Sequence, residues 1–390
     1  MAWGICVRQS EGLDVSKCAV AIVGAGLAGL CAARLLQAQG IDFILIEARD
    51  RLGGRIFTAN QAGLPCEDGF DLGPSWYWPH MQPAIGALVE ELGLTAFCQS
   101  SDGDVIFERM SRESPQRYRG LVQEQQSMRL VGGTAALVRA LAQELPIERI
   151  QLNTQVTAMA LTEKDVELSL SRAGGEVEKL TATQVIAALP PRLLEATVSF
   201  MPAQDAATAQ RWRDTPTWMA PHAKFFALYE RPFWRDAGLS GTAQSMVGPM
   251  VEMHDATTAS GGAALFGFLG VAAEQRAALG EETLARACLN QFARIFGAEA
   301  SHPRATLFKD WATDPLTSTA ADRAASGHIE PGDELWVSGP WREHLALAGS
   351  ETSQSDPGYL AGAVVAANRA VARTLARFQC VLEREWPSRI

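Results

Sequence analysis

The sequence lacks a C-x-x-C pair, a His/Cys cluster at metal-ligand spacing, a basic stripe, an internal repeat and a long apolar tail. Its seven cysteines (Cys6, Cys18, Cys31, Cys66, Cys98, Cys288 and Cys380) are scattered and odd in number. That argues against a disulfide framework, fits a reducing compartment and leaves most of them as small core residues. Six dispersed histidines offer no metal site. Lys and Arg total 34 against 44 Asp and Glu, a net charge of −10. Neither nucleic acid nor an anionic membrane surface is therefore an expected partner. The acidity suits cationic ligands, although solubility alone explains it as well. The uncharged stretch Cys18–Ala33 is short of the roughly 20 residues a membrane helix needs, and Glu11, Asp14 and Lys17 before it do not suit a signal peptide. Gly261–Ala273 is shorter still, and Glu383-Arg384-Glu385-Trp386 is polar. The chain reads as soluble and cytoplasmic. Its 390 residues, 47% hydrophobic, supply core for two domains.

What is present is organised around residues 18–58. Ala19–Val23 reads as a buried parallel strand. Gly24, Gly26 and Gly29 follow in G-x-G-x-x-G order, then an Ala/Leu-rich helix that stops near Gly40. A second strand, Phe43–Ile46, ends in Glu47, 23 residues after Gly24. In this order the parts bind a dinucleotide: Gly24 permits the turn and Gly26 admits a pyrophosphate. Gly29 lets helix and strand pack. The helix start at Leu27 and Ala28 offers N–H groups to phosphate, and Glu47 accepts ribose hydroxyls. Ala48, Arg49, Gly53, Gly54 and Arg55 then add a second glycine pair and guanidinium groups that reach the same pyrophosphate.

This extension resembles flavoproteins of the glutathione reductase type and, within them, the flavin amine oxidases of the monoamine oxidase family. The resemblance implies FAD rather than NAD. Near the other end, Leu347-Ala348-Gly349-Ser350-Glu351-Thr352 and Pro357-Gly358-Tyr359-Leu360-Ala361-Gly362-Ala363 resemble the family's A-G-x-E-T…G-Y-x-x-G-A segment. Physically, this is a Pro-Gly turn opening a helix. Its N–H groups at Tyr359, Leu360 and Ala361 and its dipole suit the negative charge of a reduced flavin. The resemblance further implies that Gly73, Pro74, Ser75 and Trp76 pass the flavin ring, that Val156 contacts adenine, and that Gly349, Ser350, Gly358 and Ala363 complete the FAD site. The mitochondrial enzymes' flavin-linking cysteine has no counterpart between Cys288 and Cys380, so the FAD is expected to be non-covalent.

Three residues are expected at the chemistry. Lys224, in Lys224-Phe225-Phe226-Ala227-Leu228-Tyr229 before Pro232-Phe233-Trp234, matches the family's K-x-x-x-x-Y-x-x-P-F-W. There the lysine holds a water against flavin N5; by itself, a lysine opening an apolar strand reads as a solvated edge charge. Trp311 matches a tryptophan beside the flavin. Tyr359 matches one wall of an aromatic cage that aligns the amine. The second cage aromatic has no counterpart in Leu316–Ala321, so the cage is half-built or Trp76, Tyr77 or Trp78 completes it. Phe225, Phe226, Met250, Met253 and His254 either line the cavity or are plain core. The L-amino acid oxidases' carboxylate-binding arginine is replaced by Trp76-Tyr77-Trp78, which points to an amine without an α-carboxylate.

The fold expected is α/β: a Rossmann-type FAD domain (18–80, 130–192 and 313–380) and an α+β substrate domain on a mixed sheet (81–129 and 193–312). Further expected elements are helices Gln82–Leu92 and Thr134–Leu145, the latter capped by Thr134. Strands are expected at Asp104–Met110, Gln116–Leu121, Ile150–Leu161, Val166–Ser171, Val177–Thr181, Val185–Leu189, Ala223–Tyr229, Ala263–Leu269 and Asp333–Gly339, with a hairpin at Gly174-Gly175. No role is assigned to residues 1–17. The expected reaction is hydride transfer from a neutral amine's α-carbon to flavin N5, then imine hydrolysis and reoxidation by O2 to give H2O2. Alternatives are a C–C desaturase or oxidase, like the phytoene desaturase and protoporphyrinogen oxidase relatives, and an FAD-bound accessory protein.

Overall fold

The computed structural model describes residues 16–120, 126–172, 175–324, 327, 329, 330, 332 and 335–385, with side chains described to residue 379. Residues 1–15, Leu121, Gly174, Asp333, Glu334 and Trp386, all part of the expectations above, lie outside them.

Apolar runs build the first sheet. Lys17–Val23 pairs in parallel with Phe43–Ile46 on one side and with Val177–Ala187 on the other. Phe43–Ile46 is buried throughout, as a parallel strand covered on both faces should be. Leu345–Leu347 joins Val185–Ala187, also in parallel. The Gly24 turn and the Gly349 segment therefore leave the same carboxyl end of one eight-stranded sheet. This is where α/β sheets take up ligands. Helices Leu27–Ala38 and Leu360–Glu385 share the core on one face.

The second sheet has seven strands in the order Ala305–Asp310, Ala223–Tyr229, Ala263–Leu269, Met250–Asp255, Leu239–Ser245, Asp104–Glu108 and Gln116–Tyr118. Ala223–Tyr229 lies between two antiparallel neighbours, and all seven of its residues are buried. The sheet is mixed, because Leu239–Ser245 runs parallel to Asp104–Glu108. Ser199–Met201 pairs with Ala158–Ala160 of the first sheet, and Trp212 packs into that sheet's core. Ile85, Leu88 and Val89 likewise pack beside helix Leu27–Ala38. We therefore place the passage between domains near residue 215 rather than 192, with helix Pro83–Glu91 on the FAD side.

Three expectations are corrected. The strands expected at Val177–Thr181 and Val185–Leu189 are one strand, Val177–Ala187, which pairs with Val166–Ser171 over Val177–Ala182 and with Lys17–Val23 over Thr181–Ala187. Leu335–Ser338 is not a strand. Its carbonyls are taken by side chains: Trp336 O accepts from Trp212 Nε1, and Leu335 O accepts from Arg211. Thr134 precedes helix Ala135–Gln143 but makes no side-chain cap. Asp71 does that work from the distant strand Phe70–Asp71, its Oδ1 accepting from Thr134 N (2.9 Å), Thr134 Oγ1 (3.0 Å) and Thr58 Oγ1 (2.6 Å). Burial pushes the Asp71 carboxyl up, against those hydrogen bonds and the charges of Arg129 and Lys224. Its Oδ2 has no partner among the described residues. Asn keeps the working oxygen, so Asp71→Asn should cost less than about 1 kcal/mol, and Asp71→Ala about 1–3 kcal/mol. Denaturant unfolding of the two variants checks this.

Candidate active site

The carboxyl end of the first sheet and the near face of the second enclose a cavity of ≈ 1870 Å³, its open mouth included. Apart from Gly29 and Ala361, every residue singled out above for FAD lines it, as do Lys224, Trp311 and Tyr359. Its floor is backbone. Gly24 holds φ at 97°, and a Cβ there would stand 2.9 Å from Ala188 O. Only glycine takes this turn without strain. Gly26 opens on the cavity: within 4 Å, a Cβ there would meet only Gly53 O, at 3.9 Å. Gly26 and Gly53 form a parallel bridge, and Gly53 N donates to Ala25 O at 2.8 Å. The two glycine turns are thus one surface at the start of helix Leu27–Ala38, whose Gly26 cap carries no side chain over the N–H groups. A dinucleotide pyrophosphate fits such a floor.

Glu47 is buried, and each of its oxygens accepts a backbone N–H: Oε2 from Ala25 at 2.8 Å, Oε1 from Arg49 at 2.9 Å. The two arginines expected at the pyrophosphate are otherwise engaged. Arg49 forks onto Asp314 at 2.9 and 3.0 Å and donates to Thr317. Burial alone would raise the Asp314 carboxyl, but Arg49 holds it below the usual range. Arg55 forks onto the fully buried Glu351 at 2.5 and 3.1 Å. Of the N–H groups expected to face the flavin, that of Tyr359 donates to Asp356 O at 3.2 Å, closing the Gly358 turn.

Lys224 is no edge charge, since it sits inside the second sheet and is 1% exposed. Its Nζ donates to Gly73 O (2.6 Å), Ser75 Oγ (2.9 Å) and Asp71 O (3.2 Å). It also stands 4.7 and 5.0 Å from the ring centres of Phe266 and Phe268. Burial pushes the ammonium down to about 7, partly opposed by Asp71 and assisted by Arg129. Trp311 is buried and donates from Nε1 to Leu72 O at 3.0 Å; Lys309 Nζ covers its ring at 4.3 Å. Lys224 and Trp311 thus tie the 71–75 loop to the second sheet.

Two family models match the chain. An NAD(P)-binding Rossmann-like domain matches residues 22–92, and flavin containing amine oxidoreductase matches residues 103–375. The chain belongs to the flavin-containing amine oxidoreductase family. A Mycobacterium tuberculosis protein named among the flavin-containing monoamine oxidases is 27% identical over 92% of this chain and 96% of its own. Among solved structures, cyclohexylamine oxidase from Brevibacterium oxydans superposes with a TM-score of 0.76 at 20% identity, over 93% of this chain and 99% of that one. Putrescine oxidase bound to putrescine does so with 0.74 at 21%, over 92% and 99%. As a member of this family the chain is an FAD-dependent amine oxidoreductase. Among the described residues, no helix is long and apolar enough to cross a membrane.

Family membership draws attention to the rings around Tyr359. Tyr77 does not line the cavity and is buried in the core beside helix Leu27–Ala38. Trp76 lines the cavity but packs on His254, Phe266 and Phe268 and donates to Gln99. Trp78 stands edge-on to Tyr359, 6.4 Å between centres. Trp218, which the sequence did not single out, lies 6.1 Å from Tyr359 with its ring tilted by 38°. It precedes Lys224 by six residues and carries no motif that would have marked it. Met219 and Phe268 also line the cavity. Phe225, Phe226, Met250, Met253 and His254 do not; the first four are buried core.

Proposed function

We propose that the chain oxidises a neutral amine without an α-carboxylate, using non-covalent FAD, and that O2 is the final acceptor with H2O2 as product. The observation that carries this reading is the group of Trp78, Trp218 and Tyr359 in the same cavity as the buried Lys224. Bound FAD supplies the acceptor for the hydride that leaves the amine's α-carbon.

The chain's own residues bind and orient. The rings of Tyr359 and Trp218 offer π-faces to a nitrogen and apolar walls to its substituents. Those walls disfavour an ammonium ion, so the amine enters deprotonated and no protein base is needed at nitrogen. Lys224, when charged, adds a repulsion against cationic amines. Its hydrogen bonds to Gly73 O and Ser75 Oγ hold the 73–76 loop, which lines the cavity. No cysteine lines the cavity among the described residues, which supports non-covalent FAD. The comparison relatives named for amines without an α-carboxylate, cyclohexylamine and putrescine oxidases, are consistent with this substrate class.

The test is an anaerobic screen of amines, following the flavin absorbance. Amines with an apolar body should bleach it and α-amino acids should not. Bleaching by dithionite but by no amine would sink the proposal. Trp218→Ala should raise KM for the best amine about 10-fold, in line with about 1.4 kcal/mol of lost ring contact.

A further inference from the structure

The loop that carries Trp218 is held from outside. Trp218 N donates to Glu351 Oε1 at 3.3 Å, and Trp218 O accepts from Arg55 Nη1 at 2.8 Å. Those two side chains are themselves a bidentate pair, and Arg55 Nη2 also donates to Ser350 Oγ at 3.0 Å. Both backbone groups of one residue therefore close on one ion pair. Thr217 N, just before, donates to the buried Asp322 at 3.0 Å. Met219, just after, holds φ at 66°, a left-handed conformation that costs a non-glycine residue on the order of 1–2 kcal/mol. Such a residue persists where its flanks are over-determined, as these are. The ring has a prepared seat: a Cβ on Gly358 would stand 2.6 Å from Trp218 Cβ and 2.8 Å from its Cγ.

Arg55 follows the second glycine pair and Glu351 follows Gly349, so the pair joins the two chain segments that line the FAD floor. We propose that Arg55 and Glu351 are positioning residues for Trp218, fixing the aromatic wall of the amine site from the FAD-binding side. The inference rests on the reading of Trp218 as an amine wall. Without the pair, Met219 relaxes to a common φ and the Trp218 ring leaves its place beside Tyr359. Amine binding then weakens more than turnover of the bound amine.

The test is a double-mutant cycle of Glu351→Gln and Trp218→Ala in the FAD-loaded enzyme, with near-UV circular dichroism of the FAD-free proteins beside it. Glu351→Gln should raise KM about 10-fold and change kcat less than about 3-fold. The double variant should raise KM no more than Trp218→Ala alone, because groups in one network are not additive. The dichroism lost in Glu351→Gln should match that lost in Trp218→Ala. Glu351→Asp keeps the charge but shortens the side chain, so its carboxylate no longer spans Arg55 and Trp218 N, and it should repeat the pattern; it decides the matter if Glu351→Gln does not fold. KM effects that multiply, or unchanged dichroism, overturn the positioning role. If Trp218→Ala leaves KM unchanged for every amine oxidised, the wall reading itself falls. If Trp218→Ala alone moves KM, only the positioning role falls.

Discussion

Lys224→Met should slow the reaction of the reduced enzyme with O2 about 10²-fold, the loss typical of removing one positioned donor. The residue has the placement such a role demands. It is enclosed by strands on both sides, fixed by three oxygens and backed by aromatic faces. O2 gains negative charge as it takes up an electron, and a cation beside the cavity stabilises that charge. Burial pushes the ammonium down to about 7, so the cation is present below that pH and lost above it. The wild-type reoxidation rate should therefore fall as pH rises through about 7, whereas the variant should be slow and flat. Stopped-flow mixing of the dithionite-reduced protein with O2 reads both. A variant as fast as wild type, with the same pH profile, would remove Lys224 from the mechanism. Stability gives an independent check. The unfolded lysine titrates near 10.5 and the folded one near 7. Below pH 7 both states are charged, and the fold bears the full cost of burying the ion. Between about 7 and 10.5 only the unfolded state holds the proton, so stability rises with pH. Wild type should gain on Lys224→Met by roughly 1.4 kcal/mol per pH unit across that window.

The same residue shows how far the sequence reaches. Its strand, Ala223–Tyr229, was legible residue for residue, because a run of apolar and aromatic residues between turns is a local signal. That the strand is central, and the lysine therefore buried, depends on partners at 263–269 and 305–310, which no local pattern names. The glycine floor of the cavity was legible for a like reason, since glycine spacing, strand and acid all fall within about forty residues. Trp218 was not legible. Arg55 and Glu351, which hold it, lie 163 and 133 residues away in sequence. Thr134 looked like a cap because threonine before a helix usually is one, yet Asp71, 63 residues upstream, takes its N–H. At Leu335–Ser338 the apolar run of a strand is real, but Trp212 and Arg211 occupy two of the carbonyls that a ladder would need. In each case the missing information is which distant polar group satisfies the backbone.

Glu47→Gln should weaken FAD binding about 10²-fold. Glu47 follows strand Phe43–Ile46, and its two oxygens already accept the N–H groups of Ala25 and Arg49. Those two bonds aim the carboxylate at the cavity it lines and leave one further lone pair on each oxygen. A ribose diol meets that pair of acceptors with two donors. Gln presents one oxygen and one NH2, so one of the two backbone N–H groups must face a donor. The cost of orphaning it is about 1–3 kcal/mol, and loss of a charged acceptor for the ribose removes about 1.5–3 kcal/mol more. Part of the first cost is already present in the FAD-free protein, so it lowers stability rather than affinity. The remainder gives roughly 2.7 kcal/mol, or two decades in Kd. Titrating the FAD-free protein with FAD, alongside thermal unfolding without it, separates the two. A lowered Tm with Kd unchanged would mean that Glu47 only ties the glycine turn to the second strand, and that the ribose is held by other groups.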